Sequence, residues 1–215
     1  MPKNTPSSSD PSPQHYFSES PQAPSRRKEF AISGHDGELT LSTDAGVFSQ
    51  HGLDKGTSVF LEVMAKHECA PIVPGSFLCD IGCGSGAIAL TLATRYPDCT
   101  VYAVDTNERA RSICQENAVR NHLGNIIVAS PEEVDPSIRF ATLWSNPPIR
   151  IGKSALHELL ETWLARLAND GVAHLVVNKN LGADSLADWM SNLSYPTSRI
   201  ASRNGFRVLE VTVDR

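Results

Sequence analysis

A chain of 215 residues with 40% hydrophobic residues is enough for one domain with a real core, or one plus a small appendage. Its net charge of −5 carries no global basic signature, which argues against a protein that coats nucleic acid by charge alone but leaves local basic contacts open. Five cysteines at irregular spacings, with neither CxxC nor HExxH, suit a reducing, cytoplasmic setting without a metal, and the lack of an apolar leader or an 18-residue apolar run argues against secretion and membrane association.

The chain opens on a tail. Residues 1–25 hold six Pro and seven Ser and almost no large apolar side chain, so 1–28 is expected to be disordered and 29–215 to form the domain. Within the tail, His15-Tyr16-Phe17 reads as a tether onto the domain or a substrate contact, and Arg26-Arg27-Lys28 as a solvated run or a phosphate contact. Two short strands, 30–33 and 38–42, are joined at His35-Asp36-Gly37 by the Asp-Gly signature of a tight turn. Residues 43–56 form a polar loop anchored by Val47, Phe48 and Leu53. Val59, Phe60, Val63 and Met64 then predict a helix over 57–66, broken off before Pro71 and Pro74.

The run 77–81 is almost continuously apolar, as in a central parallel strand covered on both faces. A glycine-rich turn, a helix over 87–95 and a strand over 100–104 follow. A helix over 107–121 places Ala110, Ile113, Cys114, Ala118 and Val119 inward. Strands 126–129 and 141–144 lead to an amphipathic helix over 153–167, striped by Leu156, Leu159, Leu160, Trp163, Leu164 and Leu167. A strand over 172–177, a helix over 185–193 and strands 197–201 and 206–213 around Asn204-Gly205 complete the chain. Strands alternating with helices predict a doubly wound, Rossmann-like α/β domain, and the last two strands a terminal antiparallel hairpin. Cys69, Cys79, Cys99 and Cys114 read as small core residues.

Two stretches carry chemistry. Gly82-Cys83-Gly84-Ser85-Gly86 has the spacing GxGxG, not the GxGxxG of dinucleotide sites. Glycine there lets a ligand approach where a Cβ would intrude. Asp80 ends the first central strand, where α/β folds bind ligands, and either meets an ammonium group or orients the turn. Asp105 ends the next strand, placed to accept both hydroxyls of a ribose. The pair suits an amino-acid-bearing nucleoside better than a dinucleotide, and no Lys or Arg near the turn is available for a phosphate. The second stretch is Asn146-Pro147-Pro148. Its prolines fix φ, remove two amide donors and push the Asn away from helical geometry. Rigidly aimed acceptors suit a planar amine, a poor nucleophile that must be drawn towards tetrahedral geometry; a loop-breaking turn is the plain alternative.

DIGCGSG, VDTN and SNPP together resemble the class I S-adenosylmethionine-dependent methyltransferases. More narrowly, FSQHGLDKGT, SNPPIRIGK and NKNLGADSL resemble the methyltransferase small family, which includes ribosomal RNA guanine-N2 methyltransferases. The likeness spans roughly 30–213, and HYFS near residue 15 occurs ahead of some relatives. It implies a seven-stranded, mostly parallel sheet with an antiparallel last strand, and methyl transfer from S-adenosyl-L-methionine to the N2 amine of a guanine in small-subunit ribosomal RNA. Ribosomal RNA or the small ribosomal subunit particle would be the partner, with the chain a monomer or homodimer. The resemblance places the donor on Asp80, Gly82, Cys83, Gly84, Gly86, Asp105, Thr106, Ser130, Glu132 and Asn146. It places the amine-positioning Asn on Asn146; with the rigid Pro147 and Pro148 this is the expected catalytic group, and Phe48, Ile149, Arg150, Lys153 and Lys179, the last three read from the residues as phosphate contacts or a solvated face, are the expected substrate contacts.

There are departures. Ile149 stands where many amino-methyltransferases carry an aromatic residue, which weakens an adenine acceptor more than a guanine one. Ser130-Pro131-Glu132 replaces Ser-Asp, leaving Glu132 or a backbone carbonyl for the cofactor's adenine amine, and Asn180 replaces a histidine. Only 76 residues precede Phe77, where many relatives carry a second copy of the domain, so RNA recognition would fall to the hairpin, a dimer mate or the catalytic face. Arg199, Arg203 and Arg207 are weaker phosphate candidates, and His51 and His157 lack a carboxylate partner by sequence. The alternatives are a protein glutamine amide, an adenine amine or a small molecule as acceptor, or a non-catalytic RNA-binding or ribosome-assembly protein. A NAD-dependent dehydrogenase leaves Asn146-Pro147-Pro148 without a task.

Overall fold

The computed structural model describes residues 27–34, 37–45, 47 and 52–214. The expected disorder of the tail, the His15-Tyr16-Phe17 island, Arg26, the His35-Asp36 turn, Phe48 and His51 lie outside the described residues. Strands β1 (Lys28–Ser33) and β2 (Glu38–Thr43) pair as an antiparallel hairpin. The main sheet contains β3 (Phe77–Ile81), β4 (Thr100–Val104), β5 (Ile126–Ala129), β6 (Phe140–Ser145), β7 (Leu167–Asn178), β8 (Thr197–Arg203) and β9 (Phe206–Val211). Their order is β5-β4-β3-β6-β7-β9-β8, and β9 runs antiparallel to both its neighbours while the others pair in parallel. This is the expected Rossmann-like sheet with an antiparallel last strand. The order reverses between β3 and β6, so a crevice opens beyond their carboxyl ends. There Ser145 Oγ donates to the Ile81 carbonyl at 2.7 Å and clamps the two strands together.

Helices cover both faces. On one side α1 (Lys55–Met64), α2 (Ala87–Arg95), α3 (Glu108–Arg120) and the hairpin enclose a core containing Leu41, Phe60, Leu78, Leu90 and Trp144. On the other, α4 (Lys153–Leu164) and α5 (Ala183–Asn192) bury Leu143, Leu160, Trp163, Leu175 and Met190. Asp54 starts α1 by accepting from the Gly56 and Thr57 amides, so the cap and not the apolar stripe sets where the helix begins. Helix α4 ends at Leu164, earlier than its stripe predicts. Leu167 fills the core instead as the first residue of β7, opposite Phe140. Among the described residues, no helix is long and apolar enough to cross a membrane.

Helix α3 corrects one expectation. Val119 is 66% exposed, whereas Asn117 is fully buried. The inward stripe is Ala110, Ile113, Cys114, Asn117 and Ala118, spaced by threes and fours. Asn117 is buried because it is fully bonded. Its Oδ1 accepts from the Ser42 amide at 2.8 Å, and its Nδ2 donates to the carbonyls of Ser42 at 2.9 Å and Ser85 at 2.8 Å. One turn on, Asn121 accepts from the Thr40 amide at 3.0 Å and donates to the Thr40 carbonyl at 2.8 Å. Two amide side chains thus satisfy the open edge of β2, and one of them ties the hairpin to the glycine turn.

Candidate active site

The turn after β3 folds back on β4, with the amides of Gly82 and Cys83 donating to the Val104 carbonyl at 2.8 and 3.0 Å. Gly86 caps α2 with φ 91° and offers no side-chain acceptor. Asp80 supplies one from the strand: its Oδ2 accepts from the Ala89 amide in the first turn of α2 at 2.9 Å. Of its two sequence-level roles, orienting the turn is therefore on display. The other oxygen, Oδ1, is buried with no partner. A Cβ on Gly86 would lie 2.7 Å from Cys114 Sγ, so this glycine serves helix packing. A Cβ on Gly82 would meet nothing within 4 Å, so that position borders open space.

Burial pushes the Asp80 carboxyl up to about 8, with the Asp105 charge adding to it and the Ala89 amide opposing. An unfolded Asp ionises near 4, so between about pH 4 and 8 the unfolded chain releases a proton that the native state keeps. Stability from this group is complete below pH 4 and is lost as pH rises through 8. Expected result: calorimetric melting of the donor-free protein at pH 5.5 and 8.5 shows a larger loss in the wild type than in Asp80→Asn. Equal losses would remove Asp80 as the cause.

Asp105 bridges two elements. Its Oδ2 accepts from the Gly84 amide and its Oδ1 from the Asn107 amide, each at 2.9 Å. Burial raises its carboxyl above the ordinary range, and the Asn107 and Gly84 amides pull it back. Each oxygen keeps an unused lone pair.

Asn146 arrives from β6, across the crevice. Its Nδ2 donates to Asp54 Oδ2 at 2.9 Å and Thr57 Oγ1 at 3.0 Å. An ionised carboxylate only accepts, so the amide nitrogen must face Asp54 and the amide oxygen is left free to accept. Gly56 permits this approach: a Cβ there would stand 2.9 Å from Phe206 Cε1 and 3.3 Å from Asn146 Nδ2. Asn146, Thr57, Gly82, Cys83 and Gly84 line one small cavity. In the sequence Asp54 and Thr57 fall at the end of the polar loop and the start of the next helix, with no sign that they hold Asn146. Asp54→Ala should lower turnover on the order of 10- to 100-fold through misplacement of Asn146, and destabilise α1 by about 1 kcal/mol. Asp54→Asn, which keeps a capping oxygen, should recover the stability; a parallel recovery of full turnover would show that the cap alone matters.

The other candidates distribute as follows. Pro147 is buried, and its carbonyl accepts from the Ile149 amide at 2.8 Å, while Pro148 caps a short turn over Ile149–Ile151. Ile149 is half-buried against the α4 core. Arg150, Lys153 and Lys179 are exposed. Thr106 is exposed beside Asp105. Ser130 follows β5, next to the end of β4, and forms a capping box with Glu133, whose Oε2 accepts the Ser130 amide at 2.7 Å. Glu132 is exposed. Arg27 pairs with Glu116 and Arg203 with Glu62, and Arg207 is a buried partner of Asp184, so these three do not form a free basic rim. His157 stacks on Trp189 at 3.6 Å, a packed histidine.

The family described as the methyltransferase small domain matches residues 38–210. The chain is 31% identical over 200 residues to "Uncharacterized protein YbxB" of Bacillus subtilis (strain 168), covering 92% of this chain and 97% of that one. It is 32% identical over 157 residues to "Ribosomal RNA small subunit methyltransferase C" of Shewanella piezotolerans, covering 71% of this chain and 44% of the other. The chain thus spans about half the length of the ribosomal RNA methyltransferases it matches. Among solved structures, the T. thermophilus 16S rRNA N2 methyltransferase (RsmC) in complex with AdoMet and guanosine superposes with a TM-score of 0.71 at 22% identity, over 90% of this chain and 52% of that one.

Proposed function

We propose, since the chain belongs to the methyltransferase small domain family, that it is an S-adenosylmethionine-dependent enzyme methylating the exocyclic N2 amine of a guanine in small-subunit ribosomal RNA. The residues fit that donor. Asp80 holds a buried, unpartnered oxygen behind the turn, Gly82 borders open space, and Asp105 has a lone pair on each oxygen for ribose hydroxyls. The donor supplies an electrophilic methyl carbon on a sulfonium.

What the chain itself contributes is position. Asn146 Oδ1, with its amide nitrogen held by Asp54 and Thr57, accepts a hydrogen bond from one N–H of the substrate amine. The Pro147 carbonyl keeps a second lone pair for the other proton. Two acceptors placed at fixed angles favour a tetrahedral nitrogen, and the proline ring at Pro148 brings no amide donor to compete for them. The amine's proton leaves to solvent, and no covalent enzyme intermediate is needed. The target base reaches such a pocket only once unstacked. Arg150, Lys153 and Lys179 are exposed for phosphate contact, and Ile149 offers an apolar edge to the base. We assign the activity to 29–215 as one domain.

The observation that carries this reading is the tethered amide of Asn146 in the cavity that Gly82–Gly84 also line. The guanine acceptor draws on the ribosomal RNA methyltransferases among the relatives. Purified protein with tritiated donor is offered small-subunit particles, naked RNA and total cell protein. Label in RNA recovered as N2-methylguanosine supports the proposal. Label confined to protein, or recovered as N6-methyladenosine, overturns it.

A further inference from the structure

A second hollow lies elsewhere among the described residues. A cavity of about 470 Å3 opens at the amino ends of the parallel strands, bordered by Phe77 at the start of β3 and Val172 on β7. Its wall carries Cys69, His174 and Glu210, with His67 alongside. We propose that His67, Cys69, His174 and Glu210 form a zinc-binding site.

The fold brings these donors together from three separate stretches. His174 on β7 and Glu210 on β9 are direct partners in the antiparallel ladder, so their side chains share a face. His67 and Cys69 belong to the segment leaving α1. One ligand atom from each of His67, Cys69 and His174 lies within 4.8 Å of the other two. Glu210 Oε2 stands 3.1 Å from His67 Nε2 and 3.3 Å from His174 Nε2. Around tetrahedral zinc, with bonds of about 2.0–2.3 Å, donors stand roughly 3.3–3.8 Å apart. The carboxylate is thus within a few tenths of an ångström of that spacing from both rings, but it lies outside the 4.8 Å group that the other three donors form, so Cys69 and Glu210 must turn towards each other to complete the site.

One further feature points to a metal. The donor set combines a thiolate, two imidazoles and one carboxylate, which suits zinc and not the oxygen-seeking magnesium or calcium. Arg95 braces the segment by donating to the carbonyls of Met64 at 2.6 Å and His67 at 3.0 Å. The site is closed and structural: it staples the end of α1 to two strands of the sheet, while the other end of α1 holds Asn146 through Asp54 and Thr57. It does not depend on the proposed acceptor.

The test uses the full chain, stripped with a chelator and reloaded with zinc or cobalt. The expected result is one zinc per chain after desalting, and a cobalt form with intense tetrahedral bands and a thiolate charge-transfer band. Cys69→Ser should abolish the charge-transfer band, and His67→Gln, at a half-exposed position, should weaken zinc binding by about 10- to 100-fold or more. Zinc should raise the melting temperature of the wild type and not of either variant. Zinc well below one equivalent, or a charge-transfer band that survives in correctly folded Cys69→Ser, would overturn the site. If Cys69→Ser does not fold, the ligand count from X-ray absorption of the wild-type zinc form decides: one sulfur with nitrogen and oxygen supports the site, and any other set overturns it.

Discussion

Asn146→Ala is expected to leave donor affinity within about twofold of the wild type while cutting turnover by roughly 100- to 1,000-fold, the usual loss when one pre-aimed polar group at a reacting centre is removed. The division follows from the geometry. The proposed donor cradle of Gly82, Gly84 and Asp105 is held by backbone amides and does not hang on Asn146. Asn146 is fixed from the opposite side, by Asp54 and Thr57, so deleting it leaves the turn intact. Titration calorimetry with the donor and single-turnover kinetics separate the two effects; an equal loss of donor affinity would sink the division. Asn146→Asp is not a conservative control. It sets a second acceptor 2.9 Å from the Asp54 carboxylate, and the repulsion should move the side chain out of place.

Asp105→Ala is expected to do the reverse. Two hydrogen bonds to a charged acceptor contribute about 1.5–3 kcal/mol each, so donor affinity should fall by about 100-fold or more. Turnover at saturating donor should stay within a few-fold of the wild type. The Gly84 and Asn107 amides lose their acceptor too, so the free protein should be less stable by about 1–2 kcal/mol. Asp105→Asn should not rescue fully, because one end of its amide would turn a donor towards a backbone N–H. A variant that keeps donor affinity but loses turnover would place Asp105 on the acceptor side and contradict this assignment.

Much of this molecule can be read from its sequence, and the boundary has a physical cause. Strands of a parallel sheet are short, nearly continuous apolar runs, so 77–81, 100–104 and 126–129 stand out in the sequence at the bounds they have in the fold, even though the edge strand β5 leaves Ile127 exposed. The glycine turn and Asn146-Pro147-Pro148 end such strands, and the crossover that seats β6 beside β3 brings them near each other. Polar contacts between distant segments have no such periodicity. Asn146 and Asp54 are 92 residues apart. Asn117 looks like an exposed helix residue until its four partners are seen, and its burial turns Val119 outward. The early end of α4 has the same origin: Leu167 continues a helical stripe on paper but finds its place against Phe140. The expectation of no metal rested on the lack of a compact motif; the proposed cluster is of another kind, with His67 and Cys69 close together after α1 and His174 and Glu210 set side by side by strand register.

The amides of Asn117 and Asn121 along β2 bear on how this chain keeps company with copies of itself. A two-stranded hairpin on the outside of a domain is a template for adding a foreign strand, and such edges seed swapped dimers and fibrils. Here the inner rail is occupied by helix side chains that mimic a third strand without extending one. Any newcomer would have to displace α3 and, through Asn117, pull on Ser85 in the donor turn. The cover on the β2 edge and the shape of the proposed cofactor cradle therefore draw on the same asparagine.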